Sequence, residues 1–363
     1  MNKEIVNILE KFESNNFEAF VIGGFVRDKL MGVESFDVDI ATNALPKDIM
    51  SIFSSSSINT TIYGTTKITG DNYRFDIATY RKDISYSDRK PEVEYINSLK
   101  EDIIRRDFTI NTIAMNKTGE IIDYLNGVKD LQNKVIRCVG DPNTKLKEDP
   151  LRILRAFRFS IILDFKLENS LLNVIKKNIN LISTLSLTRV KEEFDKILVS
   201  DNAIKGLDYL NKLGVLKQLN ISYSKIVDTD DLSGMYAQLK VPDEYPFTKE
   251  EKNNIDLIKK IVNYGKIDNN ILFNYGLYIS LVASKILELD NEDITIMYSK
   301  LPIKSYKDIA ITNNDIIKEL NIEPSEIIKK INDVLVDKIL SKELINDKKV
   351  LINYIKEMLK NEL

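Results

Sequence analysis

The chain reads Val21-Ile22-Gly23-Gly24-Phe25-Val26-Arg27-Asp28 and, after a short spacer, Phe36-Asp37-Val38-Asp39-Ile40-Ala41-Thr42. Val21 and Ile22 lead into a Gly-Gly turn as an apolar strand. Phe36, Val38 and Ile40 alternate with Asp37 and Asp39, so a second strand carries both carboxylates on one face. Two carboxylates that close repel each other unless a cation lies between them. Mg²⁺ is held by one or two carboxylates together with substrate phosphates. Gly23 and Gly24 let backbone N–H groups approach phosphates with no Cβ in the way. Taken singly, a Gly-Gly is a turn and an Asp-x-Asp the polar face of an exposed strand. Together, in this order and spacing, they point to metal-assisted chemistry on a nucleoside triphosphate, with Asp37 and Asp39 as catalytic metal ligands.

Other residues fit the same plan. Phe75-Asp76-Ile77-Ala78-Thr79-Tyr80 is another alternating run, and Asp76 joins the catalytic carboxylates if the strands pair; otherwise it is a solvated strand residue. Arg27, one turn into the helix after the glycines, can reach a phosphate oxygen bidentately or pair with Asp28 or Glu34. Arg105-Arg106-Asp107 sets two guanidiniums beside a carboxylate that can accept from a ribose 2′-OH. Asn111 follows four residues later as a further triphosphate contact. Asp149-Pro150 has the form of a helix N-cap and first helical residue. In the functional reading, Asp149 and Arg152 face a base edge. Cytosine and adenine offer an exocyclic amine beside an unprotonated ring nitrogen, whereas uracil and guanine offer a carbonyl and a ring N–H. An Asp/Arg pair rejects the latter two by leaving buried polar groups unpaired. Arg155 and Arg158 continue at i+3 spacing, as phosphate contacts, as braces of the site or as helix-face ion pairs.

The Gly23-to-Arg27-Asp28 and Asp37-x-Asp39-x-Ala-Thr pattern resembles the head of a class II tRNA nucleotidyltransferase. Three more stretches match that family in order: Arg105-Arg106-Asp107-Phe108-Thr109-Ile110-Asn111, Glu148-Asp149-Pro150-Leu151-Arg152 with the following Arg155 and Arg158, and Ser186 to Leu198. They resemble its ribose-binding motif, its nucleotide-selecting helix and the helix that braces that helix. The resemblance covers about residues 15–200 and is nearest to bacterial CCA-adding members. It implies Mg²⁺-dependent addition of C, C and A from CTP and ATP to the tRNA 3′ end, without a nucleic-acid template. Poly(A) addition, A-only or CC-only addition and a non-catalytic RNA-binding relative are the alternatives. The segment Arg81 to Pro91 resembles the loop that accompanies the switch from C to A, with Asp83 and Arg89 as supporting residues. In it Ile84 stands for the usual glycine, Lys90 for an arginine, and one residue is missing. Thr188 stands where that family commonly has Glu, and so does Asp76.

At 363 residues the chain is long enough for two or three domains. No apolar run reaches the length of a membrane span, and the first ten residues read as a helix opening rather than a signal peptide. A single cysteine, Cys138, rules out an internal disulfide framework and fits a reducing cytoplasm. The chain has no histidine, which excludes Ser-His-Asp triads, His-Cys zinc sites and a phosphohydrolase built on His-Asp ligands. The net charge of −3 leaves room only for a local basic surface towards RNA.

The expected fold class is α+β, with a mixed-sheet head followed by an elongated all-α neck, body and tail. The boundaries are 1–140 for the nucleotidyltransferase head, 141–215 for a helical neck with the nucleotide-selecting helix, and 216–363 for a tRNA-binding helical body and tail. Residues 82–92, polar and closed by Pro91, read as a loop. No strand is expected after about residue 140.

Overall fold

The computed structural model describes the chain apart from residues 54–57, 61–64, 88–89, 321–325 and 362–363, and for 58–60, 83–87, 90–92, 320 and 359–361 it describes the backbone alone. It divides into two compact units, Met1–Leu219 and Asn220–Leu363.

The first unit opens with α1 (Lys3–Ser14), β1 (Ala19–Ile22), α2 (Gly24–Leu30), β2 (Asp37–Thr42), α3 (Pro46–Ile52), β3 (Ile58–Thr60), β4 (Thr65–Thr69) and β5 (Arg74–Thr79). It continues with β6 (Arg81–Ser87), β7 (Lys90–Tyr95), α4 (Leu99–Ile104), β8 (Ala114–Met115), β9 (Ile121–Ile122), α5 (Gly127–Gln132) and β10 (Val135–Ile136). Helices then dominate: α6 (Pro142–Glu148), α7 (Leu151–Ile162), α8 (Asn169–Lys177), α9 (Leu187–Leu198), α10 (Ala203–Lys212) and α11 (Val215–Gln218), with β11 (Lys166–Leu167) between α7 and α8.

The sheet runs β3-β4-β5-β2-β1-β8-β9. Only β2 and β5 pair in parallel, so the sheet is mixed, as expected for an α+β head. Register decides what each face carries. Val38 lies beside Phe75 and Ile40 beside Ile77, all four buried; Asp39 lies beside Asp76 on the other face. Burying one face fixes that register, because a one-residue slip would exchange the two sets.

The structure corrects two expectations. Residues 82–87 and 90–92 are strand, not loop: β6 and β7 form an antiparallel two-stranded ribbon with Tyr86 opposite Pro91. The alternation of Ile84 and Tyr86 with polar residues is a strand signal, and a two-stranded ribbon tolerates Pro because each strand has an unpaired edge. A strand also occurs after residue 140. The two-residue β11 pairs in parallel with β10, with Lys166 N–H donating to Lys134 C=O (2.9 Å) and Glu168 N–H to Ile136 C=O (3.0 Å). Two residues are too few to show a period.

The second unit contains α12 (Leu232–Ala237), α13 (Lys249–Tyr264), α14 (Asn269–Ile286), α15 (Asn291–Ser299), α16 (Asn313–Leu320), α17 (Glu326–Leu340) and α18 (Lys348–Asn361). Its own core includes Ile258, Ile261, Leu272, Leu335 and Leu351, each fully buried. A capping box at Thr248 and Glu251 starts α13, and Gly265, in the left-handed conformation, ends it. No described helix is long and apolar enough to cross a membrane.

Candidate active site

The turn between β1 and α2 requires glycine at position 23. Gly23 has φ +77°, and a Cβ there would stand 3.3 Å from Asp39 Oδ2 and 3.9 Å from the Arg106 guanidinium. Backbone, carboxylate and cation therefore converge at one point. The Gly23 N–H donates to the Ile113 carbonyl (3.4 Å), so the donors of this turn left for a phosphate are those at the start of α2.

Asp37, Asp39 and Asp76 share the open face of the β2–β5 pair. Asp39 is solvent-accessible, yet enough protein surrounds it that desolvation raises its pKa. Arg106 opposes that shift, and Asp76 and Asp37 add to it. A site that penalises negative charge in this way favours a bound cation. Two flanking cations already answer part of it: Arg74 Nε lies 3.0 Å from Asp37 Oδ1, and Lys67 Nζ lies 3.2 Å from Asp76 Oδ2. Among the described residues, no three Asp, Glu, His or Cys side chains converge closely enough to hold a metal ion alone. Two carboxylates with substrate phosphates suffice for Mg²⁺, so the donor set of Asp37 and Asp39 fits a divalent ion that arrives with a nucleotide.

Arg106 owes its position to a residue that sequence reading missed. Asp102, on α4 and fully buried, accepts from Arg106 (Nη2 3.0 Å), from Arg105 (Nη2 2.7 Å) and from the Arg81 N–H (3.2 Å). Burial pushes its pKa up, but Arg106 and Arg105 outweigh that and hold it below the ordinary 3.8. The signal available in the sequence was the acid three and four residues before the two arginines. A depressed folded-state pKa contributes stability above the unfolded value and loses it as pH falls through the folded one. Asp102→Asn should therefore cost about 2 kcal/mol at pH 7. The gap to wild type should close only below about pH 4, as read by urea unfolding across that range; a gap independent of pH refutes the charge argument.

A second network surrounds Phe159 on α7. Arg27, Arg155 and Arg158 each lie over its ring, at 5.3, 5.5 and 4.0 Å from the centroid. Arg27 donates to Asn111 Oδ1 (2.9 Å) and to Asp28 Oδ1 (2.7 Å). Asn111 donates to Asp107 (3.3 Å), and Arg155 Nε donates to the other Asp107 oxygen (2.7 Å). Burial raises the Asp107 pKa, but Arg155, Asn111 and the Phe108 N–H together hold it below the ordinary range. Arg158 pairs with buried Glu193 on α9, and Arg155 reaches the same carboxylate at 3.7 Å. Removing the Glu193 charge leaves the largely buried Arg158 guanidinium without its carboxylate, while Arg155 keeps Asp107. Glu193→Gln should lower stability by about 2–4 kcal/mol, measured by urea unfolding; an unshifted midpoint refutes that role.

Asp149 and Arg152 stand close in sequence but have different partners. Asp149 has extended torsions, and its carboxylate accepts from the Leu151 N–H (3.1 Å) at the start of α7. Arg189 of α9 grips both its oxygens at 3.0 Å. Arg152 is buried, donating to Glu148 (3.1 Å) and to the carbonyls of Lys145 (3.1 Å) and Arg105 (3.2 Å). The structure thus places Arg189, not Arg152, against Asp149. Of the supporting pair from the 82–91 segment, Asp83 is described only as backbone in β6, and Arg89 lies outside the described residues.

Residues 19–137 match the "Poly A polymerase head domain" model. Residues 164–222 match the "Probable RNA and SrmB- binding site of polymerase A", and 227–355 match domain 2 of tRNA nucleotidyltransferase. The chain is 34% identical to the CCA-adding enzyme of Ligilactobacillus salivarius, over 99% of this chain and 98% of that one. It is 32% identical to that of Limosilactobacillus reuteri, over 97% and 96%. It is also similar to the crystal structure of the Bacillus stearothermophilus CCA-adding enzyme in complex with CTP, at 25% identity and a TM-score of 0.86, covering 100% of this chain and 99% of that one. Dependence on a divalent metal ion goes with this family of nucleotidyltransferases. The chain therefore belongs to the CCA-adding enzyme family of tRNA nucleotidyltransferases.

Proposed function

We propose that this chain adds C, C and A, from CTP and ATP, to the 3′ end of tRNA without a nucleic-acid template. The observation that carries the reading is the meeting of Gly23, Asp39 and Arg106 beside Asp37 and Asp76. Gly23 and Gly24 admit the triphosphate, and Arg27, Arg106 and Asn111 bind it. Asp107 orients the ribose through its 2′-OH. Asp149 and Arg152 read the base, with Arg189 holding Asp149, and Arg155 and Arg158 brace the helix that carries them. The RNA 3′-OH attacks the α-phosphorus in line, forming the new phosphodiester as pyrophosphate leaves. Bound by Asp37 and Asp39, Mg²⁺ would lower the pKa of that hydroxyl and neutralise the leaving group. No protein nucleophile takes part, in keeping with a chain that has no histidine and whose one thiol, Cys138, is buried with its pKa raised to about 11.

We assign residues 1–140 as catalytic head, 141–215 as neck and 216–363 as tRNA-binding body and tail, in a cytoplasmic enzyme. The test is incubation with Mg²⁺ and tRNA ending at the discriminator base, with CTP, ATP or both, followed by 3′-end sequencing. Addition that stops at CCA is the expected result. A stop at CC would point to the altered 81–91 segment, a long A tail would mean a polymerase, and no product would overturn the reading.

A further inference from the structure

The face that carries the three carboxylates also carries two cations with no part in the chemistry described so far. Reading across it, Lys67 on β4 lies opposite Asp76 on β5, which lies beside Asp39 on β2; Arg74 on β5 lies beside Asp37. Both cations stand on one side of Asp37 and Asp39, on the strands β5 and β4, of which β5 also carries Asp76. The sheet order places β5 and β4 to one side of β2, and β1, with the Gly23 turn at its end, to the other. Arg106 belongs to the glycine side as well, within 3.9 Å of a Gly23 Cβ.

In-line displacement divides these two sides. The leaving pyrophosphate lies with the Gly23 turn and Arg106, so the attacking hydroxyl, and the strand that bears it, must come from the opposite side. That side is the β5–β4 side. The Lys67 and Arg74 side chains are 57% and 73% exposed. Exposed ion pairs contribute little to stability, so their bonds to Asp76 and Asp37 exchange readily for other anions. When Asp37 is taken up by a metal–nucleotide complex, Arg74 is left beside the reacting centre with its charge unmatched. An RNA backbone supplies the anions that both cations then need.

We infer that Lys67 and Arg74 form a subsite for the terminal phosphodiesters of the acceptor RNA, which guides its 3′-OH to the carboxylates from the β4–β5 side. This inference rests on the function proposed above and adds a strand polarity to it: nucleotide on the β1 side, acceptor on the β5 side.

The test is the K67Q/R74Q double variant with tRNA lacking its CCA end. Affinity is measured by fluorescence anisotropy over a series of salt concentrations, without nucleotide, and CMP transfer is measured at varied RNA and varied CTP. Losing two phosphate contacts at a single-stranded end should make the plot of log affinity against log salt shallower by about 1.4. The RNA KM should rise about tenfold, while the CTP KM stays within twofold. The charge-preserving K67R/R74K variant should restore the slope. Both side chains are exposed, and a thermal melt of each variant checks the fold. Transfer by wild type with an unchanged slope and RNA KM in the double variant overturns the subsite alone. So does an unchanged slope accompanied by tighter Mn²⁺ binding, read by electron paramagnetic resonance, since the cations would then be counter-ions only. A wild type that transfers nothing to this RNA overturns the proposed function, and the subsite with it.

Discussion

Asp39→Ala should slow CMP transfer by at least about 10³-fold, because metal-assisted charge stabilisation is worth several kcal/mol and each 1.36 kcal/mol is tenfold in rate. Asp39 is the carboxylate most tightly built into the site. It stands beside the Gly23 turn, faces Arg106, and lies next to Asp76 across the parallel β2–β5 pair. Its folded-state pKa is raised by desolvation and neighbouring carboxylates, so the fold does not need the charge. The loss should therefore fall on the chemical step and not on stability. Asp37→Ala should act in the same direction; its side chain is 77% exposed and pairs with Arg74. Single-turnover transfer at saturating CTP, with a thermal melt of each variant, measures both halves of the claim. Folded variants that retain wild-type rates would sink the metal-site assignment.

Asp149→Ala should collapse the preference for CTP over UTP by about 10²–10³-fold. A site built to accept from a base amine rejects the wrong base because its own polar groups go unpaired. Without the Asp149 carboxylate, the Arg189 guanidinium loses both its 3.0 Å acceptors and can meet a uracil carbonyl instead. The gain should therefore appear as faster UTP use, and not only as slower CTP use. Arg189→Ala tests the same arrangement from α9: it frees Asp149 to rotate and should blur base choice while leaving the proposed triphosphate contacts of Arg27 and Arg106 intact. Comparison of kcat/KM for the four nucleotides decides it, and an unaltered CTP-over-UTP ratio in Asp149→Ala refutes the base-reading role.

Local pattern was enough for much of this protein. The alternation around Asp37 and Asp39 and the run at Asp76 identify strands with one polar face, and that face is where the structure places all three carboxylates. Pro46 occupies the first turn of α3, where its fixed φ and missing N–H fit a helix start. The pattern misled where one strong signal masked a weaker one. Pro91 hid the alternation of β6 and β7, and the two residues of β11 are visible only through the β10 strand they pair with.

The site divides in the same way. Residue types and spacing nominate the groups proposed here for chemistry, because a carboxylate pair, a Gly-Gly turn or an Arg-Arg-Asp run has a limited set of uses. Partners distant in sequence are invisible to that reading. Asp107 with Arg155, 48 residues apart, Asp149 with Arg189, 40 apart, and Arg158 with Glu193, 35 apart, meet only because α7 packs against α9 and sets Phe159 against Phe108. Asp102 has its arginines within one helical turn, yet only burial makes its charge decisive. The sequence by itself determined the fold class and the two strands that carry the carboxylates proposed for catalysis, because those follow from periods of two and 3.6 residues and from side-chain chemistry. Tertiary structure alone decided which arginine holds Asp149, which acid positions Arg106 and on which side of Asp37 and Asp39 the flanking cations lie. Each of these depends on strand order and helix packing, which bring together side chains that no local spacing relates.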